Sequence, residues 1–187
     1  MFNNSPGVYK AGLILPDIII LKSKSEKEFK KMKKILIALD YDPTAQKVAE
    51  TGFLLGRTMN AEIVLLHVIS DFVYYSSNEY SPVIGYTGFI DMSLMQTTNI
   101  EALKNASMQY LEKFKEHLGD NKIRILTKEG DFADGILDAA KEENADLIVM
   151  GSHSRKWLED ILMGSVTRTV LHKTSVPLFI VPTKKQE

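Results

Sequence analysis

The chain contains no cysteine, which excludes disulfides, thiolate nucleophiles and zinc-thiolate centres together. That absence fits a reducing compartment, and a cytoplasmic location is expected. No apolar run approaches the roughly 18 to 20 residues that a membrane-spanning helix needs, so no membrane contact is expected. Histidine is scarce and dispersed: the four, at positions 67, 117, 153 and 172, share no metal-ligand spacing, and no metal site is expected. The strained Gly-x-Ser-x-Gly elbow of a serine nucleophile is missing. Ser152 or Ser154 with His153 and Asp160 would crowd a triad onto one loop, where adjacent side chains rarely meet at the geometry that nucleophile and base require. There is no internal repeat.

What is present is a chain of 187 residues, 44% hydrophobic and 25% charged, the proportions of a globular protein. That length suits one α/β domain plus an extension. Residues 1–31 stand outside the periodic pattern and read as a basic, flexible leader, with the domain proper at 32–187. The apolar piece from Ala11 to Leu21 is interrupted by Pro16 and Asp17 and lacks a small-residue cleavage site, so it is neither a signal peptide nor a membrane span. Seven lysines lie between Lys22 and Lys34, leaving the first 34 residues at +5 and the remainder at −6. Such a tail can attract nucleic acid, but only Phe29 is interleaved for base stacking, and no nucleic-acid partner is expected. Met32, directly before Lys33, is a natural start for the periodic part.

From Lys34 the pattern is regular. Ile35-Leu-Ile-Ala-Leu-Asp40 is apolar on both faces, as in a buried parallel strand. Asp42-Pro43 then opens a helix, with aspartate as cap and proline in the first turn. Ala45, Val48, Ala49, Gly52, Leu55, Gly56 and Met59 recur at helical spacing, and Asn60 closes the helix. Ala61 to Ile69 is a second buried strand. Residues 70–95 have no steady period and form a long loop of the kind that serves as a lid or binding loop. A helix from Ile100 to Leu118 ends at Gly119. Ile123 to Thr127 alternates and reads as an edge strand. A helix follows from Phe132 to Glu143, then the strand Asp146 to Met150, a helix through Lys173, and a last strand from Val176 to Val181. This alternation implies a parallel sheet wound by helices on both faces. The last strand is apolar and carries Pro177, which belongs at an edge or strand start. An uncovered apolar edge invites pairing.

The stretch from Met150 to Val166 carries the functional signal. A strand ends at Met150-Gly151, a loop follows, and a helix starts at Gly164-Ser165. N–H groups at Gly164, Ser165 and Val166 would point out of that helix start, where the macrodipole favours an anion, most naturally phosphate. Arg155 and Lys156 raise the local positive potential. An ordinary connection with Ser165 as N-cap has the same sequence.

Gly151-x-x-Ser154, nine residues, then Gly164-Ser165 resembles the nucleotide motif of the universal stress protein family, Gly-x-x-Gly, nine residues, Gly-Ser/Thr. Ser154 stands where the family pattern has its second glycine. The resemblance covers about residues 33–182. It implies an open, doubly wound, Rossmann-like sheet of five parallel strands in the order 3-2-1-4-5, of the adenine-nucleotide alpha-hydrolase-like type. It also implies a regulatory adenine-nucleotide-binding module and a homodimer through the C-terminal strand. Asp40 would hold the adenosine half, the Val68 backbone would read the adenine edge, and Met150, Gly151, Ser154, Gly164, Ser165 and Val166 would surround the phosphates. ATP, ADP or AMP is the expected ligand, with Mg²⁺ carried by the phosphates. No Walker lysine, catalytic glutamine or second acidic motif accompanies the loop, so weak ATP hydrolysis is the most that is expected. The alternatives are a nucleotide-free dimeric regulator, Asp40 as a turn-forming aspartate and His67 as a core histidine.

Ser154 gives the first prediction. A Cβ in a phosphate-cradling loop that glycine adopts freely costs about 1 kcal/mol or more. Ser154→Gly should therefore raise the ratio of ATP to AMP affinity about fivefold. Calorimetric titration of both nucleotides checks this, and an unchanged ratio rejects the loop argument.

Overall fold

A computed structural model describes residues 19–21, 32–70, 100–152 and 163–183. The elements run β1 (Ile19–Leu21), β2 (Lys34–Ala38), α1 (Ala45–Met59), β3 (Glu62–Ile69), α2 (Ile100–Leu118), β4 (Arg124–Glu129), α3 (Phe132–Glu142), β5 (Leu147–Gly151), α4 (Ser165–Lys173) and β6 (Leu178–Val181). They build one six-stranded sheet in the order β1-β6-β5-β2-β3-β4. Counted from β2, the five parallel strands have the order 3-2-1-4-5 that the resemblance implies.

Alternating side chains explain why the central strands read as continuous apolar runs. Ile35, Ile37, Ile63, Leu65, Leu147, Val149, Phe179 and Val181 face one way, against Val48 and Ala49 of α1 and Tyr110, Leu111 and Phe114 of α2. Leu36, Val64, Leu66, Val68, Ile148, Met150, Leu178 and Ile180 face the other way, against Ala133, Ile136, Ala139 and Ala140 of α3 and Val170 of α4. Both faces are covered, so a polar residue on either face of β2, β5 or β6 would be desolvated. β4 has one neighbour, β3, and its half-buried pattern is that of the edge strand its alternation predicts.

The helix ends follow local chemistry. Asp131 caps α3 by accepting from the Ala133 and Asp134 N–H groups at 2.9 and 3.0 Å. Asn60 ends α1 in the left-handed region at φ 52. Asp42 is not the helix cap that the sequence suggests: the N-cap is Thr44, two residues on, and the regular helix begins at Ala45, while the Asp42 carboxylate takes the Thr44 N–H at 2.9 Å and the Thr44 hydroxyl at 2.7 Å in the turn before it. At the opposite end of the sheet, the Asp146 carboxylate accepts the Lys33 and Lys34 N–H groups at 2.8 and 3.2 Å, while the Asp146 N–H donates to the Lys34 carbonyl at 2.9 Å. These bonds clamp the start of β2 to the start of β5. Arg124 forks onto Glu143 at 2.7 and 3.0 Å beside them.

Strand β1 was not anticipated. It arises in the leader, where the broken apolar run shows no period, and it pairs antiparallel with β6. The edge of β6 that the sequence assigned to a second copy is therefore occupied by the chain itself. The irregular stretch beyond Ser70 and the loop residues 153–162, Ser154 among them, lie outside the described residues. No described helix is long and apolar enough to cross a membrane.

Glycines 52 and 56 let α1 lie close to the sheet. A Cβ at Gly52 would come within 2.7 Å of Ile37 Cδ1 and 2.9 Å of its Cγ1, and a Cβ at Gly56 within 2.7 Å of Ile63 Cδ1. Overpacking of this kind costs about 1 to 3 kcal/mol, against a helix-propensity gain of about 1 kcal/mol for alanine. Gly52→Ala should accordingly lower the free energy of unfolding, by up to about 2 kcal/mol. A urea titration that shows stabilisation would contradict this packing.

Candidate functional site

β2 hands on through α1 to β3 on one side, while its neighbour β5 hands on through α4 to β6 on the other. Because α1 and α4 cover opposite faces, the two connections diverge and leave a crevice at the carboxyl ends of β2 and β5. This is the topological switch point at which doubly wound sheets bind ligands.

Three of the residues expected at a ligand, Asp40, Met150 and Gly151, lie at the ends of β2 and β5. Asp40 follows β2 and is exposed. Its carboxylate accepts the Asp42 N–H at 3.2 Å, so this exposed residue also serves the turn. Met150 is buried with its side chain in the α3/α4 layer, which leaves only its backbone for a ligand. Gly151 ends β5, with Val48 and Thr183 around it. A Cβ there would stand 3.1 Å from Thr183 Cγ2 and 3.2 Å from Val48 Cγ2, so the glycine already serves packing. Its carbonyl accepts the Thr167 hydroxyl at 2.9 Å, which fastens the first turn of α4 to the tip of β5.

The helix start differs in one respect from expectation. The Gly164 N–H is not free, because it donates to the Ser152 carbonyl at 3.1 Å. This bond joins the two flanks of residues 153–162. Gly164 holds φ −64 and ψ 159 as N-cap, without a side-chain cap. The next N–H groups, those of Ser165 and Val166, have no intrahelical acceptor and carry the positive end of the dipole. Of the three N–H groups expected to face a ligand, that of Gly164 is thus taken up within the chain.

Val68 is buried, and a Cβ at Gly135 would lie 2.8 Å from its Cγ1. Its side chain is core, as a backbone contact allows. Leu66 offers its carbonyl to Leu39 on the β2 side, whereas Ile69 offers its own to Gly130 on the β4 side. Backbone groups alternate along a strand, so the Val68 carbonyl and N–H point toward the β2 side, past the last paired residues Ala38 and Leu66.

Residues that no motif announces hold these tips in place. The Tyr110 hydroxyl donates to the Asp40 carbonyl, and the His67 Nδ1 lies 2.8 Å from the Leu39 carbonyl. A carbonyl only accepts, so Nδ1 carries the proton. Nε2 is left as a bare acceptor, buried, with no partner among the described residues. His67 is thus a core histidine that is half satisfied. Tyr41 stacks against it at 4.1 Å between ring centroids and shares a 2.7 Å hydrogen bond with Ser107. Ser152 ties the β6 side, its Oγ accepting the Thr183 N–H at 3.1 Å. An inward tyrosine at helical spacing looks like any core aromatic, so sequence carries no signal for these roles. No cluster of three histidine, aspartate or glutamate side chains suited to a metal occurs among the described residues.

Comparison with known proteins adds relatives. Residues 31–182 match the family model of the universal stress protein family. Universal stress protein MJ0577 of Methanocaldococcus jannaschii is 32% identical over 159 residues, covering 81% of this chain and 96% of that protein. Its solved structure superposes with a TM-score of 0.61 at 26% identity, over 83% of this chain and 99% of that one. Universal stress protein A of Escherichia coli (strain K12) is 31% identical over 157 residues, 83% of this chain and 97% of its own length. A universal stress protein crystallised in complex with cAMP shares the fold, with a TM-score of 0.55 and 16% identity over 82% of this chain and 98% of that one.

His67 supplies a prediction in pH. Burial pushes its imidazole pKa from 6.5 down to about 4, against the opposing bond to Leu39. A lowered histidine pKa stabilises the fold fully above pH 6.5, and that contribution, about 3 kcal/mol, is lost as pH falls toward 4. Glu143, held below the usual carboxylate range first by Arg124, and Glu50, held low first by Gln46, lose their contributions only below about 4.5. Unfolding free energies between pH 6.5 and 4.5 should therefore fall steeply in the native chain and much less in His67→Phe.

Proposed function

Because the chain belongs to the universal stress protein family, we propose that it is a regulatory adenine-nucleotide-binding module of the stress response, whose occupancy by ATP, ADP or AMP changes its shape or its partners. The observation that carries this reading is the pairing of two opposite features across the β2/β5 crevice. On one side the uncapped start of α4 offers the Ser165 and Val166 N–H groups beside Gly151. On the other side stands the exposed carboxylate of Asp40.

A nucleotide has the complementary order of charge. Its phosphates suit the helix start, where N–H groups and dipole act together. Its ribose hydroxyls are donors for a carboxylate, and its adenine edge presents a donor and an acceptor to the Val68 backbone. Gly151 and the Met150 backbone admit close approach between these ends. Mg²⁺ would arrive with the phosphates. The chain's own part is binding: Asp40 and Val68 set orientation, and the α4 start neutralises phosphate charge. A cytoplasmic location belongs to the same proposal.

The test is Gly164→Asp. It sets a carboxylate at the helix start where phosphate would lie, so like charges repel in the strongest part of the dipole field. ATP, ADP and AMP affinities should each fall more than tenfold by calorimetry, with the circular dichroism spectrum unchanged. Nucleotide binding that survives this substitution in a folded chain overturns the site assignment.

A further inference from the structure

The sheet has one ladder unlike the others. Every pair from β2 to β6 is parallel, but β1 runs antiparallel to β6, with Ile19 opposite Ile180, Ile20 opposite Phe179 and Leu21 opposite Leu178. β6 carries no charge, and all four of its residues are buried. Without β1 its outer row of N–H and C=O groups would be an open apolar edge, free of the lysines, prolines or bulges that blunt such edges. Pro177 precedes the strand and does not interrupt it.

The polarity of the β1 ladder identifies what else that edge accepts. A two-fold axis that sets β6 beside β6 of a second copy makes the two strands antiparallel, since the axis reverses strand direction. The edge that takes Ile19–Leu21 is thus already shown to accept the strand direction a symmetric partner would bring. Only one strand can occupy it at a time.

Geometry also shows that the chain can cap itself. β2, β5 and β6 are parallel, so Leu21, opposite Leu178, lies at the same end of the sheet at which β2 begins. Three strand spacings separate β1 from β2, about 14 Å at roughly 4.8 Å each. Residues 22–31, at about 3.3 Å per extended residue, have ample length for that crossing. A three-residue strand is also a small unit to open, because short edge elements have few bonds to lose.

We propose that β1 is an internal competitor for the β6 edge, and that its release allows a second copy of this chain to pair there through β6. The oligomeric state is then set by the leader, which acts as a self-strand. This proposal is independent of nucleotide binding.

Two full-length variants test it by sedimentation equilibrium. Ile19→Pro with Ile20→Pro removes a ladder donor whichever of the two N–H groups faces β6, and should tighten self-association at least tenfold relative to the native chain. In Ile19→Cys with Ile180→Cys, the otherwise cysteine-free chain gains one pair at opposed positions, within disulfide reach. Oxidised, it should remain monomeric at concentrations where its reduced form associates. A proline variant no more associative than the native chain overturns the proposal. So does an oxidised form that associates as readily as the reduced one, and this second result stands even where the proline variant fails to fold.

Discussion

The parallel pairing of β2 with β5, in register from Ile35 and Leu147 to Ile37 and Val149, joins two parts of the chain more than a hundred positions apart, and the rest of the molecule is arranged on either side of it. Loop closure over that length costs entropy, which the burial of both strands on both faces offsets. The contact is aligned at its lower end by Asp146, which accepts from Lys33 and Lys34. With the start so clamped, the upper ends of β2 and β5 come out level. The switch-point crevice exists because α1 and α4 leave those ends toward opposite faces.

A crevice made of strand tips leaves backbone groups without ladder partners, and buried groups of that kind must be satisfied. The structure meets this cost with three side chains and one backbone N–H from distant elements. Tyr110 of α2 takes the Asp40 carbonyl, His67 of β3 takes that of Leu39, Thr167 of α4 takes that of Gly151, and Gly164 takes that of Ser152. Each bond fixes a strand tip or a helix start beside the crevice. His67 shows the compromise: one nitrogen holds the tip, while the other stays buried without a partner among the described residues. The imidazole is kept neutral far below its ordinary pKa, so rigidity at the site is coupled to sensitivity in acid.

Sheet edges impose the second constraint. β4 ends the sheet with a half-buried strand whose exposed positions carry Arg124 and Glu129, a pattern that repels further pairing. β6 has no such protection, and the chain brings Ile19–Leu21 to cover it. Asymmetry between a guarded and an adhesive edge gives this domain one surface suited to exchange of strands.

The strands and helices from Lys34 to Val181 were legible because both of their signals are local. A short, β-branched run apolar on both faces reads as a strand enclosed by helices, and Asn60 and Gly119 mark helix ends through backbone chemistry that needs no tertiary partner. The Gly151 to Gly164-Ser165 spacing likewise placed the site at a strand end and a helix start. What the sequence could not carry was how polar groups divide their bonds once packed. Gly164 reads as an open donor, yet its N–H turns back to Ser152; Tyr110 reads as core, yet its hydroxyl holds Asp40. The short strand in the leader was hidden for the same reason, since three residues carry too little period to declare themselves and become a strand only where β6 presents an edge. By itself, then, the sequence determined the order of elements, the buried faces and the position of the candidate site. Tertiary structure alone decided how the backbone groups at the strand tips and the edge of β6 are paired, because hydrogen bonds are allotted by proximity between segments far apart in the chain.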